Sequence, residues 1–280
     1  MAGTLESCSF CPQLCRHVCP VAVATGREAA SPAKIMSAVL MAGRAHIPPE
    51  DAARAAALCT GCGACREHCK YSVDVPALLA EARTRYGHAA EVTAPRPPQG
   101  EGELVAVICD QRSWASVLAI ALDQPVASLS TTDHLGWAAL EHRDRAAPHL
   151  TRLNAALAGR KAVSACSQCL AVLDAAHVPR IRLDELLPPE WDGPVYSCHG
   201  DLPFPGQSVQ DSPTCCGAHG PLASVHPQLA ADVAREAASR LPPEPVATAD
   251  SACRNALRSA GAQVVDAVDL LLDKHPHPST

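Results

Sequence analysis

Eight cysteines in the first quarter of the chain fall into two short runs. They are Cys8-x2-Cys11-x3-Cys15-x3-Cys19-Pro20 and Cys59-x2-Cys62-x2-Cys65-x3-Cys69. The chain has fifteen cysteines in all, an odd number that cannot pair completely within one molecule. Fifteen in 280 residues also falls below the roughly 8–10% of short disulfide scaffolds. The first residues lack a basic region followed by an apolar stretch, so no secretory signal is expected. No run reaches the roughly 18 apolar residues that would span a membrane. The expected setting is cytoplasmic, where thiols stay reduced. Fifteen reduced thiols point to metal.

The second run has the C-x2-C-x2-C-x3-C spacing of bacterial ferredoxins, and the first has it with one extra residue. Such a loop curls so that three sulfurs face one cubane and backbone N–H groups offset its negative charge. Gly61 and Gly63 are expected to relieve crowding in the second loop. In this pattern the fourth cysteine of each run serves the other cluster. Two [4Fe-4S] clusters are therefore expected, cluster A on Cys8, Cys11, Cys15 and Cys69, and cluster B on Cys59, Cys62, Cys65 and Cys19. Two zinc knuckles are the plainer alternative, but they leave the third and fourth thiols of each run without a role. His17 and His68 hold equivalent places in the two loops and are expected to tune the clusters through hydrogen bonds to sulfur.

Residues 1–88 read as helical, with helices at 31–44, from 49 to 58 and at 75–86. Residues 89–102 hold three prolines and two glycines and read as a linker. Residues 103–274 alternate. Short apolar strands are expected at 104–109, 126–129, 162–165, 180–183, 194–197, 245–249 and 263–265. Helices are expected at 114–122, 167–176, 223–240, 251–259 and 266–272. The fold class is thus an α-helical ferredoxin-like domain followed by an α/β domain with a mainly parallel sheet. Shifting the chain by 84 residues lays Ala165-Cys-Ser-Gln-Cys169 on Ala249-Asp-Ser-Ala-Cys253, and Leu173, Leu186 and Leu187 on Leu257, Leu270 and Leu271. The α/β domain therefore reads as two duplicated halves, about 103–190 and 191–274.

The second half carries Cys198, Cys215-Cys216-Gly217 and Cys253. Adjacent cysteines do not normally bond to each other without strain, so the pair points to a metal or redox site. With these motifs the chain resembles the iron–sulfur subunits of the heterodisulfide reductase superfamily. That group includes the iron–sulfur subunits of anaerobic glycerol-3-phosphate dehydrogenase and of glycolate and lactate oxidases. The resemblance extends from residue 8 to about 272. It implies a helical dicluster domain and a cysteine-rich C…CCG…C-x2-C domain. That domain would hold a non-cubane [4Fe-4S] cluster or zinc, or act on a thiol or disulfide. The implied third site is Cys198, Cys215, Cys216, Asp250 and Cys253. Three departures stand out. Cys11 and Cys15 are separated by three residues, Lys70 replaces a proline, and Asp250 stands where a cysteine is expected. In the first half Cys109, Cys166 and Cys169 persist, but Thr131-Thr132 replaces the pair. That trio reads as a relic, as a zinc site completed by a histidine such as His134, or as a degenerate cluster. His199 and His219 flank the second site, and His275 and His277 lie in a proline-broken tail.

Net charge is -6, +2 over residues 1–88 and -8 beyond, which argues against nucleic-acid binding. No G-x-G-x-x-G or P-loop is present, so hydride chemistry belongs to a partner. The expected role is an electron-transfer subunit linking a flavoprotein dehydrogenase to a quinone, a thiol or disulfide, or another acceptor. Peripheral association with a membrane complex is compatible with it. The alternatives are a disulfide reductase working at the Cys198/Cys215/Cys216/Cys253 site and a redox-sensing binding protein.

Overall fold

A computed structural model of the chain describes residues 4–12, 15–87, 94–109, 114–131, 135, 143–186, 191, 193–196 and 215–274. Thr132, His134, Cys198, His199, His275 and His277 lie outside them. The chain forms two compact units. One gathers Met1–Ala89, Ser197–Pro243 and Asn255–Ala262; the other gathers Ala90–Tyr196, Glu244–Arg254 and Gln263–Thr280.

Proline starts most helices of the first unit. In α1 (Leu5–Ser9) the cap is instead Thr4, whose side chain accepts the Ser7 N–H at 3.2 Å. Then come α2 (Pro20–Thr25), α3 (Pro32–Gly43) and α4 (Pro49–Ala56), each with proline in its first turn, where no N–H is needed. Ser31 sits at the N-cap of α3 as expected, but its side chain does not cap the helix. A single turn, α5 (Ala64–Glu67), precedes α6 (Val75–Tyr86), which is capped by Asp74 through the Ala77 N–H. Met36, Val39, Ala56 and Leu79 pack into one buried cluster with Cys8, Cys15 and Cys65. The cysteine loops are thus built into the core of this helical region. Among the described residues from 4 to 87 there is no strand.

The second unit alternates as expected. In chain order it runs β1 (Leu104–Ile108), α7 (Ala115–Leu122), β2 (Val126–Ser130), α8 (Arg143–Leu157), β3 (Lys161–Ser164), α9 (Ser167–Ala175) and β4 (Arg180–Arg182). The strands form one parallel sheet in the order β2-β1-β3-β4. Every residue of β1 is buried, as in a sheet covered on both faces. Val105 and Val107 face Leu153 and Leu157 of α8 and Val172 and Leu173 of α9. Leu104, Ala106 and Ile108 face the other way, toward Val117 and Leu118 of α7. The end of the proline-rich stretch is not free of structure, since Gln99 exchanges two backbone hydrogen bonds with Ser128 of β2.

The chain continues with α10 (Pro221–Val225) and α11 (Pro227–Ser239), which belong to the first unit. One helix over 223–240 is expected from the sequence, and two are found. Pro227 forces the break, because its ring disfavours helical backbone at the residue before it. His226 there adopts φ -132° and ψ 61°. Next are β5 (Val246–Thr248), α12 (Ser251–Ser259), β6 (Val264–Asp266) and α13 (Ala267–Lys274). β5 and β6 pair in parallel, and Val195 bridges Ala247 in parallel on the other side.

The duplication is visible in these elements. Helices α8 and α11 start at 143 and 227, and α9 and α12 span 167–175 and 251–259. Strands β4 and β6 span 180–182 and 264–266. Each pair is offset by the same 84 positions found in the sequence. The pairing order β1-β3-β4 recurs as Val195-β5-β6.

Candidate metal centres

The two cysteine runs meet at two cavities. Cys8, Cys11, Cys15 and Cys69 line one, together with His68 and Lys70. Cys19, Cys59 and Cys62 line the other, with Thr60 and Gly63. Cys65 lines both. The fourth cysteine of each run therefore lines a cavity with three from the other run. The sequence reason is local. After Cys19, Pro20 starts α2 and turns the chain away from the first loop. After Cys69, the chain enters α6 through Val73, whose N–H points at the Cys69 sulfur at 3.4 Å. In the second loop the Gly61 N–H approaches the Cys59 sulfur at 3.4 Å. Gly61 and Gly63 have φ of 76° and 77°. A Cβ at Gly61 would meet nothing within 4 Å, so left-handed backbone rather than crowding calls for glycine there.

Electrostatics follow the same grouping. Burial pushes the Cys8 thiol from 9.0 up to about 12, and Cys15, Cys11 and Cys69 add to the shift. Burial likewise raises Cys15, with Cys11 and Cys69 contributing. In the second cavity burial takes Cys19 to about 11 and Cys62 to about 12. Cys65 is raised by burial and then by Cys59 and Cys62. Cys59 is raised by burial and pulled back first by the Arg83 guanidinium.

Arg83 is a residue that sequence reasoning overlooked. It lies one helical turn beyond the fully buried Leu79 on α6 and donates to the Ala56 carbonyl at 3.1 Å. An arginine four residues past a core leucine, on a helix that closes a cysteine loop, was the available signal. His17 and His68 meet edge to face with ring centroids 5.3 Å apart. Lys70, exposed, puts its positive charge at the first cavity.

In the second unit Cys109, Cys166 and Cys169 bring their sulfurs within 4.8 Å of one another. Cys109 follows β1 and Cys166 follows β3, so both lie at the carboxyl ends of neighbouring parallel strands. The strand order reverses between β1 and β3, the place where open α/β sheets form a crevice. Hydrogen bonding to Cys109 and Cys166, then burial, raises the Cys169 thiol well above its ordinary value.

The expected third site is described only in part. Cys215 and Cys216 are buried in the first unit, as is His219. Asp250 and Cys253 are buried in the second. Asp250 caps α12, its Oδ1 accepting the N–H groups of Ala252 at 3.0 Å and Cys253 at 3.1 Å. At the equivalent position of α9, Cys166 makes no such cap.

The donor sets at the two N-terminal cavities fit cubane iron–sulfur groups. Each cavity offers at least four sulfurs, with backbone N–H groups pointed at Cys59 and Cys69. Residues 4–73 match the family model of the 4Fe-4S dicluster domain. The chain is an iron–sulfur protein, and its N-terminal segment is the part that defines the class. No match was found among curated proteins or among solved structures. Among the described residues, no helix is long and apolar enough to cross a membrane.

Proposed function

We propose that the chain is the electron-transfer subunit of an oxidoreductase complex of the heterodisulfide reductase type. It would take electrons from a flavoprotein dehydrogenase and pass them to a quinone, a thiol or disulfide, or another acceptor. The observation that carries this reading is the sorting of eight thiols into two neighbouring cavities, within a segment that matches a 4Fe-4S dicluster family. Cys8, Cys11, Cys15 and Cys69 would hold one [4Fe-4S] group and Cys19, Cys59, Cys62 and Cys65 the other. When bound, such groups accept and release single electrons with little reorganisation.

The protein's own residues do the rest. Burial of Cys8, Cys15 and Cys65 limits access of water. The Gly61 and Val73 N–H groups and the Arg83 guanidinium offset negative charge on sulfur. Cys65 lines both cavities, so the two groups would be held side by side. The C-terminal cysteines, Cys198, Cys215, Cys216 and Cys253 with Asp250, would form the outlet toward the acceptor, holding a non-cubane cluster or zinc. A reducing compartment such as the cytoplasm suits this chemistry, with peripheral docking on a membrane complex where a quinone is the acceptor.

Iron analysis and EPR of anaerobically purified protein test the reading. About eight irons per chain are expected from two cubanes, and about twelve if a third cluster is present. Four or fewer irons, or zinc in place of iron, would overturn it.

A further inference from the structure

The Cys215-Cys216-Gly217 motif belongs, in the sequence, to the C-terminal α/β repeat. In the structure it is packed into the same compact unit as the dicluster segment. Four observations set it on one side of that segment. Cys215 and Cys216 are buried, at 1% and 0% exposure. The motif is followed by Gly220, whose Cβ position lies 3.7 Å from the carbonyl oxygen of Thr60, a residue lining the second cavity between Cys59 and Cys62. Leu222 and Val233, just beyond, share a buried cluster with Val21 of α2, against which Cys19 and Leu58 also pack. His226 is hydrogen-bonded through Nε2 to the Arg54 carbonyl at 2.9 Å, anchoring the α10–α11 junction to α4.

The turn itself is rigid. Gly217 has φ of 71°, and a Cβ there would come within 3.0 Å of Val233. Its N–H approaches the Cys215 sulfur at 3.4 Å. Cys215 is not among the residues lining the second cavity. It ranks directly after burial in raising the Cys62 thiol, and it also raises Cys59. The neighbours that raise Cys8 and Cys15, at the first cavity, do not include it.

We propose that Cys215 is a tuning residue for the second cluster, the one on Cys19, Cys59, Cys62 and Cys65, and that through it this cluster alone responds to the state of the C-terminal cysteine pair. The inference rests on the dicluster reading but not on any metal at the C-terminal site. A sulfur fixed beside one cluster adds a local dipole, or a local charge, that differentiates the potentials of two otherwise similar groups. Binding of a thiophilic metal to the pair would then register at the second cluster first.

Potentiometric EPR on the full-length chain, anaerobically reconstituted with iron and sulfide, tests this. Cys11→Ser and Cys62→Ser assign one reduced-state signal to each cavity. Cys215→Ser is expected to shift the midpoint potential and line shape of the signal assigned through Cys62, leaving the other unmoved. Unchanged signals, or a shift only in the signal assigned through Cys11, would overturn the proposal. If Cys215→Ser fails to retain iron, Val233→Ala loosens the packing under Gly217 while keeping both thiols. The same single signal should then move, and its constancy would equally overturn the proposal. Wild-type protein without iron would sink the dicluster reading and this inference with it, an outcome seen before any variant is made.

Discussion

Cys65 and Cys19 show how much one sulfur decides. Cys65 lines both cavities, whereas Cys19, the last cysteine of the first run, faces only the second. Replacing Cys19 with serine should therefore alter the EPR signal of the cluster on Cys59, Cys62 and Cys65. A change confined to the cluster on Cys8, Cys11 and Cys15 would show that the ligation is not crossed. Arg83 supports a second expectation. Its positive charge beside Cys59 favours the more negative, reduced form of the neighbouring group. Arg83→Gln should lower the midpoint potential of the second cluster, and a titration showing a rise would refute that account. The cysteine positions were legible because ligand spacing along a loop is itself the chemistry. Arg83 was not, because its role depends on which face of α6 meets the loop, a matter of packing between segments distant in sequence.

At the scale of elements, the alternation of strands and helices was read well because buried parallel strands announce themselves as short apolar runs. Helix α8 was not read. Pro148 lies inside it and reads as a helix breaker, although Leu150, Leu153 and Leu157 keep helical spacing. Burial of Leu153 and Leu157 against β1 secures the helix despite the proline. Asp250 illustrates a different limit. The sequence reads it as a ligand standing where a cysteine is expected, and the structure adds a second role at the start of α12, where its Oδ1 accepts the Ala252 and Cys253 N–H groups. Losing an N-cap costs about 0.5–2 kcal/mol. Asp250→Ala should lower the urea midpoint accordingly, whereas Asp250→Asn should recover most of the loss. Equal destabilisation by both would point to charge rather than capping. Asp266 works similarly at the next junction, pairing with Arg254 and accepting the Val268 N–H at 2.9 Å.

For the whole molecule, the helical segment, the α/β region and the 84-residue repeat could all be read from the sequence. That residues 215–239 join the helical unit could not, because the association is made by apolar faces such as Leu222 and Val233 and has no local signature. The buried thiols also give the metal-free chain a pH dependence. Cys8, Cys19 and Cys62 have folded values of about 12, 11 and 12 against an ordinary 9.0. A raised folded value means that the folded state holds its proton more tightly. The resulting stability is fully present below pH 9 and is lost as pH rises through 11 to 12. The urea midpoint of the metal-free chain should be level below about pH 9 and fall above it. A midpoint that stays level through about pH 11 would contradict these shifts. Loading metal should release protons, since the ligands must be thiolates.

The crossing of the two runs also sets a schedule for synthesis. A nascent chain that has emerged only as far as α4 presents Cys8, Cys11 and Cys15 of one cavity and Cys19 of the other. Neither cavity is complete at that point, and the first is not complete until Cys69 has left the ribosome. With the proposed ligands, cofactor insertion at both places would wait for the same short stretch of translation. A chain truncated before residue 59 would be denied both at once.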